Sequence, residues 1–174
     1  MKTAQTLVDL YPETAAIALE YQDFIMAEMF KRSININYYS GRSNQYNAES
    51  LQGYEIKYDR RSETTNNICI EFAEKKASNK TWIPSGICKV DNTWCIIIGN
   101  YKECWWLNKR GLSLLKDRMW NERGKVGSGS INWQNVPDAD RSGMNYYETE
   151  TSRGFIIPKN DPLMDLFCIR HIIF

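Results

Sequence analysis

The sequence predicts a mixed α/β domain with a hairpin-built mixed sheet flanked by helices. Three observations lead there. A long segment near the start carries apolar residues at helical spacing, several shorter runs alternate or stay apolar over strand length, and polar, turn-rich stretches separate them. The 174 residues suffice for one domain, 1–174, with a core that needs no disulfide or metal staple.

The first helix is predicted from Pro12 to Arg32. Pro12 suits a first turn, Glu13 complements the helix dipole, and Ile17, Tyr21, Phe24, Ile25 and Met29 form an apolar stripe. "SININYYS" reads as a short strand, and "GRSNQYNAES" as a polar connection. "GYEIKYD" and "NICIEFAEK" read as two strands of a hairpin joined by "RRSETTNN". "WIPSGICKVDN" is a loop, "TWCIIIGN" a buried strand and "KECWWLN" its hairpin partner. "LNKRGLSLLKDRMW" is a second helix, weakened by Gly111. From Gly124 the chain reads as a long loop rich in Gly, Ser, Asn and Asp, without the spacing of a phosphate-cradling P-loop. "GFIIP" and "LFCIRHIIF" supply terminal strands, or a final strand and helix.

Composition narrows the chemistry. A formal net charge of +1 leaves any polyanion-binding surface to local clustering. The five cysteines are scattered without a C-x-x-C pair, and His171 is the single histidine, so a zinc site or a histidine-based triad is not expected. The N-terminus has no secretory pattern and no apolar run approaches membrane-spanning length, which predicts a cytoplasmic protein without a membrane partner. Oxygen ligands, lysines and a hard cation remain.

The charged strand faces carry that chemistry. Alternation puts Glu55, Lys57 and Asp59 opposite Tyr54, Ile56 and Tyr58, and Cys69, Glu71 and Ala73 opposite Ile68, Ile70 and Phe72. If both apolar faces meet one core, all the charged residues share one side. Pairing Asp59 with Cys69 then sets Lys57 opposite Glu71, with Cβ atoms about 4.5–5.5 Å apart. Solvent-facing alternation of Glu and Lys is the ordinary explanation. Crowded carboxylates instead suit Mg²⁺, with Mn²⁺ substituting, and an ammonium beside it suits phosphodiester hydrolysis.

"YEIKYD…NICIEF", preceded by a helix and a short strand, resembles the core of the PD-(D/E)XK, or restriction-endonuclease-like, nuclease superfamily. The stretches "SNQYNAESLQGYEIKYDRR", "IEFAEK" and "PSGICKVDNTWCIIIGNY" are similar to a bacterial and phage branch of it. The resemblance covers about residues 11–118 and leaves the C-terminal third without a role. It implies an αβββαβ core, a Mg²⁺-dependent endonuclease, and DNA rather than RNA as substrate. Carried onto this chain it permits two assignments. In the first, Asp59 and Glu71 hold the metal with support from Glu55, and Lys57 replaces the lysine missing at Ala73. In the second, Glu55-Ile56-Lys57 is the E-x-K element and Glu49 is the first acid. The first is preferred, and both use Lys57.

Arg60 and Arg61 beside Asp59 are the focused candidates for phosphate contact. Lys109 and Arg110, in a basic stretch with Trp105, Trp106 and Trp120, and Ser85, in "PSGI", are further candidates for nucleic-acid binding. A solvated helix face and a plain turn explain the same residues. Glu20 and, more weakly, Glu28 are helix acids that the resemblance would send toward the metal. Dimerisation is an option where two strands are cut. The alternative function is a non-catalytic nucleic-acid-binding or interaction domain, which Ala73 favours.

Overall fold

The computed structural model describes residues 12–37, 50–75, 81–123 and 145–174. Helix α1 is Pro12–Lys31, close to the predicted span. Tyr21, Ile25 and Met29, successive turns apart, are fully buried, whereas Ile17 is 39 % exposed. The helix ends in a Schellman closure: Ser33 takes φ 60°, its amide donates to the Phe30 carbonyl, and the Ile34 amide donates to that of Met29. Residues 34–37 continue without regular structure and bury Ile36 under α1, so this part of the predicted strand "SININYYS" does not form. Its remainder, and the predicted loop from Gly124, lie outside the described residues.

Eight strands follow: β1 Tyr54–Tyr58, β2 Asn67–Glu74, β3 Ile83–Pro84, β4 Cys95–Gly99, β5 Glu103–Asn108, β6 Asn145–Glu148, β7 Ser152–Pro158 and β8 Cys168–Ile173. Helices α2 (Lys109–Arg123) and α3 (Pro162–Phe167) precede β6 and β8 respectively. Gly111 inside α2 has a packing reason, because a Cβ there would stand 2.8 Å from the Phe167 ring.

The strands form two sheets, ordered β1-β4-β5-β8 and β3-β2-β7-β6. The first is mixed: β1 runs parallel to β4, while β4–β5 and β5–β8 are antiparallel. The second is antiparallel. The expected α/β class and the β4–β5 hairpin are present. The expected β1–β2 hairpin is not: β1 and β2 belong to different sheets, and the Asp59–Cys69 and Lys57–Glu71 strand pairs do not exist.

Why they separate follows from where their apolar faces go. Ile56 of β1 joins Cys95, Ile97, Cys104 and Trp106 in a core layer under α1. Ile68, Ile70 and Phe72 of β2 join Ile96, Ile98, Trp105, Leu107, Phe155 and Ile157 in a second layer between the sheets, closed by Leu112 of α2 and Leu163 and Met164 of α3. Strand β4 is buried on both faces, as its unbroken apolar run requires. The single core assumed for the two charged strands is therefore two cores.

Candidate active site

Glu55 and Lys57 stand in register with Ile96 and Ile98 of the parallel neighbour β4, so they share the sheet face that looks toward the inter-sheet layer. Glu71 lies on the opposite face of β2 from Ile70 and Phe72, turned away from that layer. Glu71 thus does not join Glu55 and Lys57 on one face.

Glu55 is 3 % exposed. Its Oε1 meets Lys57 Nζ at 2.6 Å, and the Lys57 side chain is 41 % exposed. Oε2 is buried without a hydrogen-bond partner. A buried carboxylate oxygen left in this state is costly, by about 1–3 kcal/mol or more for a charged group. An ammonium at the edge and an orphaned oxygen behind it make this pair the chemically unfinished spot on β1.

Asp59 is the reverse. It is 7 % exposed and ends β1 as the N-cap of a 3₁₀ turn, Arg60–Glu63. Oδ1 accepts from the amides of Arg61 (3.1 Å) and Ser62 (3.3 Å), and Oδ2 from the amide of Cys69 (2.8 Å). Its carboxylate thereby pins the edge of β2 to the end of β1 across the two sheets. Burial pushes its pKa up, and the three amides only partly offset this. Around it Ser62 Oγ donates to the Asp59 carbonyl (2.7 Å), and Asn100 Nδ2 donates to Ser62 Oγ (2.7 Å). This is a satisfied buttress.

Glu71 is also spent. Ser85 Oγ donates to Oε1 (2.5 Å) and Ser152 Oγ to Oε2 (2.6 Å). Ser85 is held there because Gly86, at φ +49°, lies so close that a Cβ would come within 2.2 Å of the Glu71 carbonyl oxygen. Ser152 comes from the C-terminal third, and nothing in its sequence context marks it. A β-bulge interrupts the alternation between Glu71 and Ala73, and Ala73 packs against the inter-sheet core. A lysine at position 73 would have to enter that apolar layer.

Of the remaining candidates, Glu49 lies outside the described residues. Arg60, Arg61 and Arg110 are exposed, and so is Glu20 on α1. Glu28 is engaged by Lys31 and Arg32. Ser85 is 8 % exposed and its hydroxyl is given to Glu71. Lys109 is a correction to the sequence reading: it is 5 % exposed, with Nζ on Asp91 Oδ1 at 2.5 Å and on the Lys89 carbonyl at 2.8 Å, and cannot reach a phosphate. It anchors the loop before β4 instead.

Among the described residues, no three of His, Cys, Asp and Glu form a group able to hold a metal ion. Mg²⁺, however, keeps several waters and is often held by only one or two carboxylates and substrate phosphate. Both oxygens of Asp59 and of Glu71 accept hydrogen bonds, whereas Glu55 Oε2 is buried and has none. Among the described residues no helix is long and apolar enough to cross a membrane. Comparison with protein-family models, curated proteins and solved structures finds no match in any of the three.

Proposed function

We propose that the chain is a metal-dependent nuclease of the restriction-endonuclease-like type, acting on DNA, with Glu55 and Lys57 as its working pair. The observation that carries this reading is the orphaned, buried Glu55 Oε2 beside a half-exposed Lys57. Glu55 would hold Mg²⁺, or Mn²⁺ in its place, and the ion when bound supplies positive charge to the phosphate. Lys57 Nζ, at the solvent edge, orients the attacking water and hydrogen-bonds a phosphate oxygen as negative charge grows on it. Hydrolysis joins the water oxygen to phosphorus and breaks one bridging P–O bond, releasing a sugar hydroxyl. Asp59 and Glu71 act as positioning residues that fix the end of β1 and the edge of β2. Exposed Arg60 and Arg61, on the turn that Asp59 caps, supply phosphate contacts.

Supercoiled plasmid incubated with the purified protein is expected to be nicked or linearised with Mg²⁺ or Mn²⁺ and left intact in EDTA. Failure to cut DNA or RNA with either ion rules the nuclease out. A second reading, a non-catalytic nucleic-acid-binding domain, is favoured by the engagement of Asp59 and Glu71 and by Ala73 on the core. Metal-independent binding without cleavage selects it.

Asp59 separates the two site assignments. Asp59→Asn retains an acceptor for the 3₁₀ turn but turns an amide donor toward either that turn or the Cys69 N–H. A loss of about 1–3 kcal/mol is expected in urea unfolding. Cleavage per folded molecule is expected to stay within a few-fold of wild type. Abolished cleavage in a folded Asp59→Asn protein would return the metal to Asp59.

A further inference from the structure

The outer edge of the first sheet, at β8, has no role in the proposed chemistry. Among the described residues β8 pairs with β5 alone, so its other side presents backbone N–H and C=O groups to water. Which groups these are follows from the ladder. The Phe174 amide donates to the Lys102 carbonyl at 2.8 Å, and Ile173 stands opposite Glu103. Bonded and non-bonded pairs alternate in an antiparallel ladder, so Ile172 and Arg170 direct their backbone groups at β5, whereas Ile173 and His171 turn theirs outward. The Ile173 carbonyl accordingly meets a group from outside the sheet, Arg32 Nη2, at 3.4 Å.

The side chains leave this edge apolar. Its two polar members are laid back over β5. The Arg170 guanidinium lies over the Trp106 ring at 5.5 Å, and the His171 ring stacks on that of Trp105 at 4.6 Å, with Nε2 3.0 Å from Glu103 Oε2. Ile173 is 71 % exposed, and Ile169, the extra residue where the register shifts opposite Trp106 and Leu107, is 50 % exposed. Lysine and proline, which commonly guard such an edge, are absent from Cys168–Ile173.

A second copy of the same strand fits this edge, and one register suits it best. Two-fold antiparallel pairing matches outward residues with outward residues, which puts the dyad at Arg170, His171 or Ile172 if the strands overlap over most of their length. With the dyad at Arg170, two guanidinium groups stand directly opposite, which is destabilising. With the dyad at Ile172, Ile173 faces His171 and the exposed isoleucines do not meet. With the dyad at His171, Ile169 of each copy faces Ile173 of the other, and Arg170 faces Ile172.

We infer that β8 pairs with β8 of a second copy in this register, joining the two first sheets into one continuous sheet across a two-fold axis at His171. Glu55 and Lys57 lie on β1, at the opposite edge of the sheet. The dimer therefore neither needs nor disturbs the proposed nuclease chemistry, and failure of either reading leaves the other standing. The full chain is tested by sedimentation velocity and by cysteine cross-linking. Wild type should sediment as a dimer across the micromolar range. Ile173→Lys changes a largely exposed position and removes both isoleucine pairs, so it should weaken the dimer by about tenfold. Ile173→Val should retain it. His171→Cys brings two thiols together at the dyad, where Cα atoms about 5.5 Å apart suit a disulfide, so mild oxidation should give a covalent dimer. Arg170→Cys should cross-link no more than wild type. Thermal melts confirm that the variants are folded. A monomeric wild type, a dimer unaffected by Ile173→Lys, or no cross-link through His171→Cys overturns the inference.

Discussion

Replacing Glu55 by Gln, or Lys57 by Ala, is expected to lower the rate of metal-dependent DNA cleavage by about 10²–10⁴-fold, the range for losing a preorganised charge or proton-handling group. The two changes act differently. Glu55→Gln removes the buried negative charge that would hold the ion, so raising Mn²⁺ is expected to recover little activity. Lys57→Ala leaves Glu55 in place, so metal binding should survive while turnover falls. Single-turnover cleavage over a Mn²⁺ titration distinguishes them. Neither should unfold the chain: Glu55 already has an unpartnered oxygen, and the Lys57 side chain is 41 % exposed. Wild-type rates in both variants would show the pair to be an ordinary ion pair on an edge strand.

The second large effect is on stability. Lys109→Met is expected to cost about 1.5–3 kcal/mol, because it removes the nearer cation from buried Asp91, which keeps Lys89 Nζ at 3.6 Å and the Thr93 amide. The partner is Asp91, whose side chain is 1 % exposed against 7 % for Lys109. Burial pushes the Asp91 carboxyl up, but the Lys109 ammonium and the Thr93 amide outweigh it and hold the group below its ordinary value. A carboxyl depressed by folding adds stability above its unfolded pKa of about 4 and loses it as pH falls through the folded value. The gap between wild type and Lys109→Met should therefore be full near pH 7 and narrow as pH falls toward and through about 4, because Asp91 takes up a proton in the variant before it does in wild type. Urea midpoints across that range measure it. A gap that does not change with pH would mean that Lys109 contributes only packing.

Both effects bear on how the sequence can be read. Helix α1 and the β4–β5 hairpin were legible because their apolar residues follow one period over enough length: Tyr21, Ile25 and Met29 in one, the run from Cys95 to Gly99 in the other. "YEIKYD" and "NICIEF" were legible as strands for the same reason. Their pairing was not. Alternation says that a strand has one apolar face but not which layer receives it, and neighbours in sequence pair only about two-thirds of the time. Here Ile56 goes under α1 while Ile68 and Ile70 go between the sheets.

Charged residues misled in a related way. Glu55 was expected as a supporting metal ligand and Lys109 as a phosphate contact, with a solvated face as the ordinary alternative; each is buried, and an acidic partner of Lys109 stands eighteen positions earlier in a loop. The bulge at Phe72 broke the alternation that would have put Ala73 beside Glu71. Asp59 looked like a ligand because alternation put it on the face of Glu55 and Lys57 and the resemblance called for an acid there. In the structure its carboxylate accepts three amide hydrogen bonds and caps the 3₁₀ turn.

The placement of the metal on Glu55 is tested most directly by anomalous diffraction from crystals soaked in Mn²⁺. A peak beside Glu55 Oε2 that disappears in Glu55→Gln is the predicted result. A peak between Asp59 and Glu71, or none near β1, would contradict it.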